Sequence, residues 1–292
     1  MTLKNSFILF CFLLGLVFIK FTAPTLSKIF TSNKNYYEFS DFKSITISNQ
    51  SESLSIEKHT DNQWLLNKLP VSKTSLSMLE SSLVHIAESE IMTNQTDTHA
   101  LFNLKSSSHN VSIGFKDGDL ISFNIGKKGP FAGSQYFKYA DDNTVYLAKD
   151  YLSYIFSLNK SYWYDYTILN FKNKKLKLFE FEVPDSTFSY VLEDGEWFLL
   201  VNGSKAPVEI DTVNSFFSSF SPLVADKIFH ISELSPDILL KAKFRFKITT
   251  FNNQTYELMF FLDKDQSFYV INASNPKYVY WLKEVLFTDG IN

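Results

Sequence analysis

The chain has 292 residues, of which 45% are apolar and 20% charged, and its formal net charge is -3. This composition is typical of a globular protein with room for about two domains, and the near balance of charges excludes the basic surface that nucleic-acid binding requires. The single cysteine, Cys11, excludes an internal disulfide, a cysteine-based metal site and a dithiol mechanism.

The first predicted element is an unbroken apolar run at residues 7–19, between Lys4 and Lys20. Such a run belongs in a membrane: its length suits a signal peptide, and extension to Ala23 gives a short anchor. Because no well-formed cleavage site follows, we favour an uncleaved anchor; the alternative is a cleaved signal and a secreted or periplasmic protein. No later segment is comparably apolar, so we expect residues 35–292 to lie on the extracytoplasmic side of the cytoplasmic (inner) membrane, behind a single pass.

The rest of the chain contains two similar halves. A tryptophan follows an acidic turn in each half, and Trp64 and Trp197 are 133 residues apart. An amphipathic helix, an alternating strand before a turn and a Val-Tyr pair then follow in both halves, at offsets of 133 to 135. At an offset of 134 the apolar stripes of the two helices are Leu76, Leu79, Leu83 and Ile86, and Ile210, Val213, Phe217 and Phe220.

These elements predict an α+β fold. Each half reads as strands, a long helix, further strands and a short helix, which gives two tandem repeats of a mostly antiparallel sheet packed with one long and one short helix. The predicted organisation is an anchor or signal segment with linker at 1–34, a first repeat at 35–158, a connector at 159–175 and a second repeat at 176–292.

Residues 125–137 read IGKKGPFAGSQYF and contain the glycines and lysines of a phosphate-binding loop. The spacing fails because no lysine follows Gly133, and the flanking runs alternate as antiparallel strands do. We therefore predict a connection between two strands. Phe131 stands at its tip and Lys127 and Lys128 flank it, so these three residues are the candidate contact surface for an acidic or lipid-proximal partner.

No motif in the sequence predicts catalysis. The five histidines lack metal-site spacing, and the carboxylate pairs Glu180 with Glu182 and Asp263 with Asp265 are common on solvated strands and turns. We predict no catalytic residue, no metal, no cofactor and no enzyme activity.

An alternative function is a binding protein for a glycan or an apolar ligand. Its candidate ligand surface is the aromatic group Trp163, Tyr164 and Tyr166 in the connector. Exposure of these residues in a cleft would favour ligand binding, whereas their burial would favour a scaffold.

The chain resembles a bacterial family known as domain of unknown function 4340. Beyond the apolar segment, the resemblance rests on structural motifs: Asp61 to Trp64, Asp117-Gly118, Gly126, Tyr136, Val145 to Leu147 opening the last helix, and Asp165 with Ile168 and Leu169. The chain departs from the family at Ala100–Leu104, where a Tyr-Gly-Leu motif is usual. Family members often stand beside genes for gliding-motility-type ABC transport components. The resemblance thus implies an accessory role in the bacterial envelope, and it supplies no catalytic residues.

The leading hypothesis is therefore a membrane-anchored, envelope-facing accessory or scaffold protein. It would act by protein-protein contact, in company with an ABC-type transport complex.

Overall fold

The computed structural model describes residues 39–59, 62–104, 109–171, 175–219, 221–240, 242–263 and 267–283. Over these ranges the chain is built mainly from antiparallel strands with a few helices, which confirms the α+β class. The predicted membrane segment at 7–19 lies outside the described residues. None of the helices within the described ranges is long and apolar enough to cross a membrane.

Nine strands form the first sheet. They are β1 (Phe42–Ser48), β2 (Ser53–Lys58), β3 (Trp64–Leu66), β4 (Leu69–Pro70), β5 (Glu90–Thr93), β6 (Asn110–Phe115), β7 (Leu120–Lys128), β8 (Gln135–Tyr139) and β9 (Val145–Ala148). The helices of this part are α1 (Lys73–Ala87), α2 (Leu152–Ile155) and the 3-10 helices η1 (Phe39–Asp41) and η2 (Thr96–Phe102). The strands lie in the order β4-β3-β2-β1-β6-β7-β8-β9-β5.

Helix α3 (Lys160–Trp163) and strand β10 (Thr167–Leu169) lead to the second sheet. Its strands are β11 (Leu176–Val183), β12 (Ser186–Glu193), β13 (Glu196–Val201), β14 (Ser204–Val208), β16 (Lys227–His230), β17 (Phe244–Thr250), β18 (Thr255–Leu262), β19 (Phe268–Asn272) and β20 (Tyr278–Leu282). Helix α4 (Ile210–Ser219), the 3-10 helices η3 (Ile231–Glu233) and η4 (Pro236–Leu239) and strand β15 (Leu223–Val224), which pairs with β10, complete this part.

The second sheet has the strand order β14-β13-β12-β11-β17-β18-β19-β20-β16, which repeats the order of the first sheet strand for strand. Backbone hydrogen bonds recur at equivalent positions. The pairs, written from amide to carbonyl, are Lys116 to Asp41 and Phe251 to Lys175, Ala140 to Ser122 and Ala273 to Glu257, and Gly129 to Ser134 and Asp263 to Ser267. These recurring bonds fix which residues of the two sheets correspond.

The described residues pack into two compact units, which we call the first unit (39–43 and 78–156) and the second unit (44–77 and 157–283). In the first unit, aromatic rings meet edge to face, with 5.3 Å between the centroids of Phe123 and Phe156. The core of the second unit combines the phenylalanines of the second sheet with Leu69 and with the connector residues Ile168 and Phe171. The connector is thus part of a hydrophobic core.

The two long helices correspond at a different offset from the one that the sequence predicts. Helix α4 begins 137 residues after α1, not 134. The hairpin before α4 is longer: Val71 bonds back to Trp64, whereas Val208 is the partner of Trp197, which adds four residues. As a result Ile210, predicted to lie on the buried stripe, is 59% exposed. Phe220 lies outside the described residues.

Val145 to Leu147, predicted to open the last helix of the first half, belong to strand β9. Their side chains alternate, and the adjacent strand supplies a partner, since Tyr146 pairs with Phe137 of β8. The short helix begins only at Leu152.

Candidate functional site

The loop between β7 and β8 is closed by its own hydrogen bonds. The amide of Gly129 donates to the carbonyl of Ser134 across the loop, at 2.8 Å. The hydroxyl of Ser134 donates to the carbonyl of Phe131 at 2.7 Å and accepts from the amide of Phe131 at 3.2 Å. Ser134 is therefore engaged in holding the turn.

The glycines of this loop serve the turn. A Cβ atom on Gly129 would lie 2.3 Å from Oγ of Ser134 and 2.7 Å from Cδ1 of Leu147, so no side chain fits there. Gly133 has a φ of +74°, a conformation that side chains rarely adopt. Because β7 and β8 pair antiparallel, the connection predicted between two strands is confirmed, and the strand-to-helix setting of a phosphate cradle is missing from this loop.

The three candidate contact residues come together at this loop. The ring of Phe131 stands at the tip and is 71% exposed. The ammonium group of Lys127 lies 5.7 Å from the ring centroid of Phe102, and that of Lys128 lies 4.5 Å from the ring centroid of Tyr151. The two cations at the base of the loop thus lie over two different aromatic rings. We call residues 127–134 the contact loop.

A buried glutamine, which the sequence analysis missed, anchors the base of the contact loop. The amide nitrogen of Gln135 donates to the carbonyl of Gly126 at 2.8 Å and to the hydroxyl of Ser153. Its amide oxygen accepts from the backbone N–H of Ser153 at 2.9 Å. The loop is thus tied to α2, next to the Tyr151 ring that Lys128 covers. The one sequence signal was a polar residue at the start of β8, a strand rich in aromatic residues.

Of the three residues of the predicted aromatic ligand surface, Trp163 is not exposed. Trp163 is fully buried, and its indole N–H donates to the carbonyl of Ser157 at 2.7 Å. The carbonyl of Trp163 in turn accepts from the amide of Ser72, so this residue ties the connector to the start of α1. Tyr164 and Tyr166 are half-buried and pack against the core of the second unit. The rings of Tyr164 and Tyr166 were expected to face a ligand, but they contribute apolar area to this core.

The two histidines with possible ligand character are held by the backbone. Nε2 of His99 bonds the carbonyl of Asn143, and Nε2 of His109 bonds the carbonyl of Phe156, each at 2.7 Å. Burial lowers the pKa of His109, against the smaller opposing effect of its bond to Phe156. Over the part of the chain that the structure describes, no three His, Cys, Asp or Glu side chains are placed to hold a metal ion.

One member of each carboxylate pair has a structural partner. Glu180 lies 3.1 Å from the ammonium group of Lys247 on the neighbouring strand. Asp263 accepts a hydrogen bond of 3.1 Å from the indole N–H of Trp281. Asp265 lies outside the described residues.

Two antiparallel nine-stranded sheets of one strand order define the class: an α+β protein of two like halves, the first of which carries the contact loop. A family model for a domain of unknown function (DUF4340) matches residues 64–241, and the chain belongs to this family. The match runs from the tryptophan of β3 into the second half, which confirms the resemblance drawn from the sequence motifs. No curated protein and no solved structure matches the chain.

Proposed function

We propose that this protein is a membrane-anchored accessory protein that faces the cell envelope and acts as a scaffold by binding another protein. The observation that carries the proposal is the contact loop, where an exposed phenylalanine stands at the tip of a turn that its own hydrogen bonds hold in place. Its partner is an envelope protein, in our proposal a component of an ABC-type transport complex.

The shape of the contact loop supports binding by contact. A large apolar side chain on the surface is a typical anchor of protein interfaces, and a loop ordered in advance loses little conformational entropy on binding. Ser134 and Gln135 provide that order. Lys127 and Lys128 add positive charge beside the apolar tip, which suits an acidic partner and steers its approach.

The second sheet lacks this combination. At the position of Lys128 and Gly129 it has Leu262 and Asp263, and the sequence of its turn, residues 264–266, contains no apolar residue to match Phe131. A surface present in one of two like halves is more readily explained by a partner than by the needs of the fold.

The anchor belongs to the proposal through the apolar run at residues 7–19, which is followed by a chain with no comparable segment. A single pass of the cytoplasmic membrane, with residues 35–292 on the extracytoplasmic side, would hold the contact loop near other membrane proteins. The net charge of -3 gives no support for nucleic-acid binding. Burial of Trp163 removes the main support for a glycan-binding or apolar-ligand protein.

The test is quantitative co-purification of the full chain from native membranes, followed by mass spectrometry. The variant carries Phe131→Ser with Lys127→Glu and Lys128→Glu. Because a buried interface anchor contributes about 2 kcal/mol or more, recovery of the specific partner should fall about tenfold or more, with thermal stability unchanged. Phe251→Ser is the matched control, since this phenylalanine is also exposed at a turn, in the second sheet.

Unaltered recovery of every membrane partner by the triple variant would remove the contact loop from the proposal. Equal losses in the triple variant and in Phe251→Ser would show that general surface properties, and not this loop, decide recovery.

A further inference from the structure

The first unit carries an open pocket of 670 Å³ where helix α1 ends. Its walls are the last turn of α1, the start of β7 and the turn between β8 and β9. The side chains that matter are Ile86, Ile121, Tyr139, Asp141, Asp142 and Tyr146. We call this the first-sheet pocket.

The equivalent place in the second sheet can be identified from the backbone. Tyr146 pairs with Phe137 and with Ile91, and Tyr280 holds the same position between β19 and β16, where it pairs with Ile228. The recurring bonds of Ala140 and Ala273 make Tyr139 equivalent to Asn272 and Ile121 equivalent to Tyr256.

In the second sheet this place is filled by the connector of the same chain. The ring of Phe171 lies 5.9 Å from that of Tyr256, and the amide nitrogen of Asn272 lies 3.4 Å from the carbonyl of Ile168, to which it donates. Leu169 pairs with Leu223, just after α4. Ile168, Leu169 and Phe171 are all buried there. The segment Ile168–Phe171 therefore acts as a built-in occupant.

Exposure of one isoleucine shows the difference. Ile228, beside Tyr280, is 7% exposed and belongs to the same hydrophobic core as this segment, whereas its counterpart Ile91, beside Tyr146, is 70% exposed. Leu120, at the rim of the first-sheet pocket, is also exposed. Exposed aliphatic side chains that adjoin a pocket mark a surface for an apolar occupant.

We propose that the first-sheet pocket binds an extended peptide segment of a partner protein, in which two adjacent aliphatic residues are followed, two positions on, by an aromatic residue. The pattern is that of Ile168, Leu169 and Phe171, which fill the equivalent place in the second sheet. A basic residue next to this pattern would meet the carboxylates of Asp141 and Asp142 at the rim.

The matching segment of this chain repeats the pattern only in part. At the offset of 134 that relates Asp41 to Lys175, the residues matching Ile168, Leu169 and Phe171 are Lys34, Asn35 and Tyr37. The aromatic position is kept, but polar residues replace the aliphatic pair. Residues 34–37 lie outside the described residues, and they enter the test below as a competing occupant.

The local backbone also differs between the two sites. After α4 the chain forms β15, which pairs with β10 of the connector. In the first unit the equivalent residues, Ile86 and Ala87, are still helical and offer no strand edge. Recognition at the first-sheet pocket thus relies on side chains and on the charged rim.

Support for the charged rim comes from Asp142. Its burial alone would raise the pKa of the carboxyl, but hydrogen bonds from Thr144, Tyr146 and Asn143 outweigh this effect and lower it. The bond from the hydroxyl of Tyr146 is 2.8 Å long. The carboxylate is therefore charged at neutral pH, beside the ring that the peptide would contact.

The experiment uses the purified full chain and a labelled probe peptide, Lys-Thr-Ile-Leu-Asn-Phe-Lys, in a fluorescence anisotropy titration. We expect saturable binding. Ile91→Asp should weaken it about tenfold or more, because it places a charge where the aliphatic pair packs. Leu262→Asp, an exposed leucine of the second sheet, is the matched control and should bind as the unchanged protein does. A peptide with serine at the three apolar positions should not bind.

Absence of saturable binding, or equal binding by Ile91→Asp and the unchanged protein, would overturn the inference. Binding that appears only after residues 34–37 are replaced by Gly-Ser-Gly-Ser would also overturn it, because the chain's own segment would then be the occupant. The inference does not rest on the contact loop: the variant of Phe131, Lys127 and Lys128 should bind the peptide normally. The two proposals can thus fail separately.

Discussion

In the second sheet, the segment Ile168–Phe171 shares a hydrophobic core with Tyr280, whereas in the first sheet the corresponding Tyr146 lines an open pocket. The strand order and several backbone hydrogen bonds recur in the two sheets, although β15 and its partner β10 border the second site and helical residues stand in the place of β15 at the first. The set of side chains that remain exposed differs as well. The strand order is thus a shared framework, and the surfaces found in one sheet alone are the places to look for function.

The largest expected effect on stability concerns the place in the second sheet that the segment Ile168–Phe171 fills. Phe171→Ala removes a buried ring that packs on Tyr256, so it should lower the free energy of unfolding by about 3 to 5 kcal/mol. Leu120→Ala, at the rim of the first-sheet pocket, should change it by about 0.5 kcal/mol or less, because this side chain is exposed. Urea unfolding of the full chain, followed by fluorescence, measures both. Similar costs for the two variants would contradict the contrast between a filled and an open site.

Much of this framework could be predicted from the sequence, because it follows from local patterns. Trp64 and Trp197 follow acidic residues in sequence and lie in the equivalent strands β3 and β13. The alternation of apolar residues in β6 and β17 places Val111 and Phe246 in the core. The contact loop was found for the same reason, since its glycines interrupt two alternating runs.

The parts that were missed depend on contacts between distant residues. The helix offset was wrong because the longer hairpin before α4 leaves no mark in the helix pattern itself. The sequence of Val145 to Leu147 suggests the start of a helix, but these residues form a strand because β8 pairs with them, with Phe137 opposite Tyr146. Trp163 lies in an aromatic stretch that looks like a surface, whereas in the folded chain it is buried and its indole N–H and carbonyl bond Ser157 and Ser72.

The second prediction concerns Gln135, which ties the contact loop to α2 in the first sheet. Gln135 is buried, and Phe268 occupies the equivalent position in the second sheet. Gln135→Leu should lower the free energy of unfolding by about 1 to 3 kcal/mol, because the carbonyl of Gly126 and the groups of Ser153 lose their partner.

A double-mutant cycle with Ser153→Ala gives the control for Gln135. If the two residues act through their mutual bonds, their effects should be non-additive by about 0.5 kcal/mol or more. Purely additive losses would show that the bond between Gln135 and the hydroxyl of Ser153 does not contribute to stability.

A smaller effect is expected at the turn of the contact loop. Gly129→Ala inserts a methyl group against Ser134 and Leu147, and it should cost about 1 kcal/mol, the low end for overpacking, because a loop can shift. The second sheet has Asp263 at this position, with Trp281 in place of Leu147. Ala132→Ser, in the same exposed turn, is the control and should be neutral. Thermal unfolding distinguishes the two, and an unchanged melting temperature for Gly129→Ala would contradict the clash.

The smallest expected effect depends on pH and tests the first unit alone. Burial lowers the pKa of His109 below its ordinary value near 6.5, so the folded protein favours the neutral imidazole. A lowered pKa in the folded state means that the unfolded chain binds the proton more readily. The contribution of the neutral His109 to the free energy of unfolding is therefore complete above pH about 6.5, and it is lost as the pH falls through the pKa of His109 in the folded state.

His109→Gln keeps a donor for the carbonyl of Phe156 but cannot titrate, so the variant should lose less stability than the unchanged protein between pH about 7 and 5. His59→Gln, the same substitution at an exposed histidine, is the matched control. Unfolding midpoints at three pH values measure the slopes. A steeper decline in His109→Gln would reverse the sign of the argument, since it would mean that the folded protein prefers the charged histidine.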